Sequence, residues 1–69
     1  MTQKEMVLQH MKERGSISSF EAFTEYGITR LAARIHDLRD DGYKIKGSIH
    51  NARNRFGKTV RFERYTLEG

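Results

Sequence analysis

The 69-residue sequence predicts an α+β domain: three short helices, a minimal strand after the first of them, and a C-terminal β-hairpin. Three observations carry this expectation. N-cap signals precede three apolar-periodic stretches, a glycine closes each stretch, and near residue 43 the periodicity changes from helical to alternating. One domain over residues 1–69 is expected, because a chain below roughly 80 residues already struggles to bury a sufficient core. The chain has no cysteine, so neither disulfides nor thiolate metal sites can supplement that core, and His10, His36 and His50 are scattered. Neither a cofactor nor a metal is expected.

Thr2 caps a first helix, with Glu5 three residues later completing a capping box and Gly15 as the stop, which predicts a helix over 3–14. Val7, Leu8 and Met11, with Met6 beside them, form its apolar stripe. Ser16-Ile17-Ser18 has a β-branched centre between polar residues and predicts a short strand added to a later sheet. A second box, Ser18 with Glu21, opens a helix over 19–25 that Gly27 ends, with Phe20, Phe23 and Tyr26 expected to turn inward. After a very tight turn Thr29 is the next N-cap candidate, predicting a third helix over 29–41 closed by Gly42. Leu31, Ile35 and Leu38 recur on its core face, which sets Arg30, Ala33, Asp37 and Asp40 opposite, with Arg34 and His36 at the margins.

A hairpin is predicted over 43–67. Tyr43, Ile45 and Ile49 alternate with Lys44, Lys46, Ser48 and His50, a polar loop runs from Asn51 to Lys58, and Thr59–Leu67 is β-branched and aromatic. Tyr65 and Leu67 are expected to pair with Ile45 and Tyr43. Val60 and Phe62 then fall on the other parity, so a bulge or strong twist is expected near Glu63-Arg64.

Residues 1–42 hold six Lys/Arg against seven Asp/Glu, whereas residues 43–69 hold seven Lys/Arg against two Glu, a net of −1 followed by +5. A local basic excess is the electrostatic footprint of a polyanion binder, although a solvated surface that only maintains solubility has the same composition. No apolar run approaches the ~20 residues that span a bilayer, and the N-terminal residues lack the apolar core of a signal peptide. A cytoplasmic protein without membrane contact is expected. Dispersed histidines and no cysteine offer no convergent catalytic groups, so no enzyme is expected and no catalytic residue is assigned.

The stretch from Phe20 to Gly42, FEAFTEYGITRLAARIHDLRDDG, followed by the basic hairpin, resembles the winged helix-turn-helix group. It is especially similar to small helix-turn-helix proteins of bacteriophages and other mobile elements in the turn Gly27–Leu31, the helix segment Arg34–Arg39 and the strand start Gly42–Ile45. The resemblance spans nearly the whole chain. It departs from older phage repressors, which place a small residue four before the turn glycine, whereas Ala22 is five before Gly27. The resemblance implies a wing at the hairpin and double-stranded DNA as the partner.

In such a fold the second helix of the motif enters the major groove, about 12 Å wide, and its N-terminal part reaches base edges. Thr29 and the helix N-terminus can hold a phosphate, Arg30 and Arg34 can donate bidentately to guanine, and Ala33 permits close approach or touches a thymine methyl. Asp37 can accept from cytosine N4 or orient an arginine. Alternatively Arg30 and Arg34 simply pair with Asp37 and Asp41 on a solvated face. Arg53, Arg55 and Lys58 fall at the wing tip and Arg61, Lys44 and Lys46 nearby, placed for phosphate or minor-groove contact. Phe56 is expected to fold back on the sheet rather than act as a stacking wedge. These features predict a DNA-binding regulator or recombination accessory factor, acting as a monomer or a DNA-assisted dimer. The alternative is a phage inhibitor of the same fold that docks on a host protein.

Overall fold

Capping bonds set the helix ends. In the structure, a computed structural model that describes residues 1–68, Thr2 Oγ1 accepts the Glu5 N–H at 3.2 Å and Glu5 Oε1 accepts the Thr2 N–H at 3.0 Å. Helix α1 follows over Gln3–Arg14. The same reciprocal pair forms between Ser18 and Glu21, at 3.2 and 2.9 Å, between strand β1 (Ser16–Ser18) and helix α2 (Ser19–Tyr26). Gly27 ends α2 in the left-handed conformation at φ +69°, and the Ile28 N–H reaches back to the Ala22 carbonyl at 3.1 Å. Only glycine takes that φ at low cost.

Helix α3 spans Leu31–Asp40, then β2 (Lys44–Arg53) and β3 (Thr59–Glu68) complete an antiparallel sheet of order β1-β3-β2. The core is drawn from every element: Val7 and Met11 of α1, Ile17, Ala22 and Ile28, the α3 stripe Leu31, Ile35 and Leu38, and Ile45 and Tyr65 of the sheet. His10 is buried with them, its Nδ1 2.7 Å from the Tyr26 hydroxyl. The hairpin extends well past this core, and the molecule measures 39 × 23 × 20 Å.

The structure departs from the sequence reading at four places. First, Phe20 and Phe23 point outward, 76% and 57% exposed, and Ala22 with half-buried Tyr26 faces the core instead. Ile17 before α2 and Ile28 after it are both fully buried, and this pair of anchors fixes the helix rotation. Second, α3 begins at Leu31 rather than 29, and Thr29 does not cap it. Ile28 must reach the core before the chain can turn, so Thr29 and Arg30 are spent in the turn, and Arg30 occupies the N-cap without a side-chain bond. At the other ends α2 extends to Tyr26 and α3 stops at Asp40.

Third, the hairpin register runs without a bulge from Lys44↔Glu68 to Arg53↔Thr59, so Leu67 pairs with Ile45, Tyr65 with Gly47, and Arg53 belongs to a strand rather than a loop. No bulge is needed, because the outer half of the hairpin leaves the body and both of its faces are exposed. Val60 and Phe62 share one face with Ala52 and His50, while Tyr65, Glu63 and Arg61 share the other. Gly47 makes room beneath this second face: a Cβ there would lie 2.9 Å from Glu63 Oε2 and 3.6 Å from the Tyr65 ring. Burial, then the hydrogen bond to Glu63, pushes the Tyr65 hydroxyl pKa up to about 12. Fourth, Phe56 does not fold back but stands 78% exposed at the hairpin tip. Its own turn holds it there, as described below.

Arg64 joins three elements, its Nη1 donating to Ser16 Oγ at 3.0 Å and to Glu21 Oε1 at 2.9 Å. Burial raises the Glu21 pKa, but the Ser18 N–H and the Arg64 guanidinium outweigh it, and the carboxyl lies below its ordinary 4.5. A carboxyl lowered in the folded state contributes stability that is present above its unfolded pKa and lost as pH falls through the folded value. Glu21→Gln is therefore expected to lower Tm at neutral pH, with the gap to wild type closing as the pH is taken down below the carboxyl's ordinary 4.5. A gap that is independent of pH contradicts this. The rotation of α2 is tested separately: Ala22→Leu should destabilise by about 1–3 kcal/mol through overpacking, whereas Phe20→Ser should stay within about 0.5 kcal/mol of wild type. Denaturant unfolding that ranks the two the other way places the phenylalanines in the core.

Candidate nucleic-acid interface

Of the α3 residues singled out in the sequence, Thr29 and Arg30 in the turn are exposed, whereas Ala33, Arg34 and Asp37 on the helix are half-buried rather than fully solvent-facing. No side chain caps α3, at the positive end of the helix dipole, and of its first-turn N–H groups that of Ala33 donates to the Arg30 carbonyl at 3.2 Å. Arg30 is exposed and makes no ion pair among the described residues. Arg34 is half-buried and already engaged. Its Nη1 donates to Gln3 Oε1 at 3.2 Å, and its Nε lies 3.2 Å from Asp37 Oδ2. That second contact is an ion pair of poor alignment, because Nε makes no hydrogen bond despite the distance.

The pairing of Arg34 with Asp37 is the solvated-face arrangement anticipated from the sequence, but Asp41 pairs elsewhere, accepting from Lys4 Nζ at 2.7 Å. That bond raises the Lys4 pKa above its ordinary value. Sequence reasoning omitted Ala32 and His36, both exposed on α3, with His36 3.4 Å from Asp40. The signal was available: at 100° per residue both fall on the half of the helix turned away from Leu31, Ile35 and Leu38.

The second group lies on the hairpin. Arg53 and Arg61 are diagonal neighbours on the sheet face that, closer to the body, carries Ile45, Tyr65 and Leu67, which is the helix-bearing side. Arg55 and Lys58 are at the turn. All four are exposed, and none forms an ion pair among the described residues. From Gly42 to Phe62 the chain holds Lys44, Lys46, Arg53, Arg55, Lys58 and Arg61 and no Asp or Glu at all. Glu63 and Glu68 lie toward the hairpin base, Glu68 directly across from Lys44, so the charge toward the tip, at Arg53, Arg55 and Lys58, is the part directed at solvent. Arg39 ties the hairpin base to α3, its Nε and Nη2 donating to the Ile45 carbonyl at 3.2 and 2.9 Å.

The turn is built by Asn54. Its Oδ1 accepts the N–H groups of Phe56 and Lys58 at 2.9 and 3.1 Å, its own N–H donates to the Lys58 carbonyl, and its carbonyl accepts from Gly57. Gly57 at φ +77° closes the loop. On the opposite face of the hairpin lies a groove of about 910 Å³, lined by Phe20 of α2 and by Ala52, Val60 and Phe62. The sequence reading missed it, having placed Phe20 inside.

Among the described residues no three His, Asp or Glu side chains cluster to hold a metal ion, and no helix is long and apolar enough to cross a membrane. No curated protein and no solved structure matches the chain significantly. A family model described as a winged helix-turn-helix domain matches residues 2–69, in agreement with three helices and a three-stranded antiparallel sheet ending in a long basic hairpin. The chain belongs to the winged helix-turn-helix family, whose members point to DNA binding.

Proposed function

We propose that the chain is a sequence-specific double-stranded DNA-binding protein, a transcription regulator or recombination accessory factor of a phage or other mobile element, working in the cytoplasm. Helix α3 reads the major groove, with Thr29 and the helix start on a phosphate, Arg30 and Arg34 on guanine, Ala33 allowing close approach and Asp37 orienting Arg34. Arg53, Arg55, Lys58 and Arg61 of the wing grip the sugar-phosphate backbone. The single observation that carries this reading is the projecting outer hairpin, which holds no acid from Gly42 to Phe62 and whose Arg53, Arg55, Lys58 and Arg61 form no ion pair among the described residues, beside a helix with no side-chain N-cap. No residue is assigned a catalytic role.

A second reading, a module that docks on a host protein, is favoured by the apolar groove at Phe20 and Phe62 on the other face of the hairpin. Selection of bound duplexes from a random pool, run beside a pull-down from host lysate, separates the two. A consensus motif supports the first. A partner lost on Phe20→Asp, with no motif recovered, supports the second.

Two outcomes are expected of the DNA reading. With about five phosphate contacts, log K should fall against log salt with a slope near −4 to −5, at about −0.9 per contact, and a flat titration removes the electrostatic argument. Arg34→Ala should cost about 1–3 kcal/mol on the selected duplex and almost nothing on a random one, whereas Arg55→Ala should weaken both alike and reduce the slope by about one. If both folded variants keep full binding, the assignment of α3 and the wing is wrong.

A further inference from the structure

Phe56 is the most exposed large apolar side chain of the molecule, and its position is held rather than accidental. Four hydrogen bonds within residues 54–58 brace its turn, two of them to the Asn54 carboxamide, one of which binds the Phe56 N–H itself. The groove at Ala52, Val60 and Phe62 is not lined by Phe56, which stays 78% exposed at the turn. Instead the Arg55 guanidinium lies over one ring face, 5.2 Å from its centroid. The remaining ring surface is presented at the extreme end of the hairpin, amid Arg53, Arg55 and Lys58.

A rigid aromatic tip surrounded only by positive charge is matched to a partner that offers both anionic groups and flat apolar surfaces. Stacked nucleic-acid bases behind a phosphate backbone offer both. We propose that Phe56 is a wedge that enters a base step of duplex DNA from the minor groove and kinks the helix there, with Arg55 entering the groove beside it. This rests on the DNA reading above, and adds to it a deformation of the DNA and a residue outside the basic set. With α3 in the major groove, the neighbouring minor groove is what a projecting hairpin meets, and its tip is narrow because Gly57 has no side chain. Pyrimidine–purine steps unstack most easily, so the wedge selects them through deformability without a hydrogen bond to any base.

The experiment measures binding and bending together. A duplex recovered by the selection is labelled at its two ends with donor and acceptor dyes, and energy transfer is followed as protein is added. Wild type should bring the ends together, as for a kink in the range of about 20–90°. Phe56→Ala, folded by circular dichroism because the ring is exposed, should bind about tenfold more weakly and leave the duplex straight. Phe56→Leu should keep most of the bend, and Arg55→Ala should weaken binding while the bend of the bound duplex persists. Wild type that binds without bending, or Phe56→Ala that bends the duplex as wild type does, overturns the wedge and leaves the DNA reading intact. A failure to recover or bind any duplex overturns both.

Discussion

Among the described residues ten apolar side chains are buried, and three of them, Ile17, Ile45 and Tyr65, come from the sheet. All three sit toward the base of the hairpin, whereas each of its long strands has ten residues, roughly 33 Å at about 3.3 Å per residue. The core is therefore too short for the hairpin that it anchors, and everything distinctive about the molecule follows from that mismatch. Past Ile49 the face that carries Arg53 and Arg61 is exposed, and the other meets Phe20 of α2 only across an open groove, so both are accessible. An isolated two-stranded ribbon is marginal in water. Here it is secured at both ends, by Arg39 and Arg64 at the base and by Asn54 at the tip.

Features that depend on neighbours in sequence were legible, and features that depend on the whole core were not. Both capping boxes, Thr2 with Glu5 and Ser18 with Glu21, could be read because each is completed within four residues. The strand at Ile17 and the hairpin were legible from β-branching and alternation. The rotation of α2 was not, because Phe20/Phe23 and Ala22/Tyr26 are both helical spacings and the larger side chains suggest the wrong one. Only the burial of Ile17 and Ile28 decides between them, and that burial depends on packing against α1 and α3. The imagined bulge had a similar origin: inward orientation was assumed for Val60 and Phe62 along a stretch where there is no inside. Of the candidate interface, the charge of the wing was legible, while the engagement of Arg34 by Gln3, 31 residues away, was not.

That engagement bears on how α3 discriminates. Half-buried Arg34 is held by an imperfect ion pair with Asp37 and one bond to Gln3. A surface pair of this kind is worth only about 0.3–0.5 kcal/mol, against about 1–3 for a bidentate guanine contact. On the proposed reading, release would be favourable where a guanine is present, and without one Arg34 would stay with its carboxylate, near an Asp37 charge that repels phosphate. In the proposed complex the acidic residues of α3 thus withhold its arginine from non-specific contact and leave that task to the outer hairpin, which holds no acid from Gly42 to Phe62.

The period-two alternation of a strand gives the outer hairpin two unrelated surfaces in one short stretch. Arg53 and Arg61 share the helix-bearing side, while Ala52, Val60 and Phe62 line the groove behind it with Phe20. A ligand on one side does not compete for the side chains of the other. Phe56 belongs to neither set. At the turn the alternation ends, and the ring is 78% exposed with only the Arg55 guanidinium over one face. That exposure at the tip makes it the apolar group presented to whatever the basic wing is drawn towards.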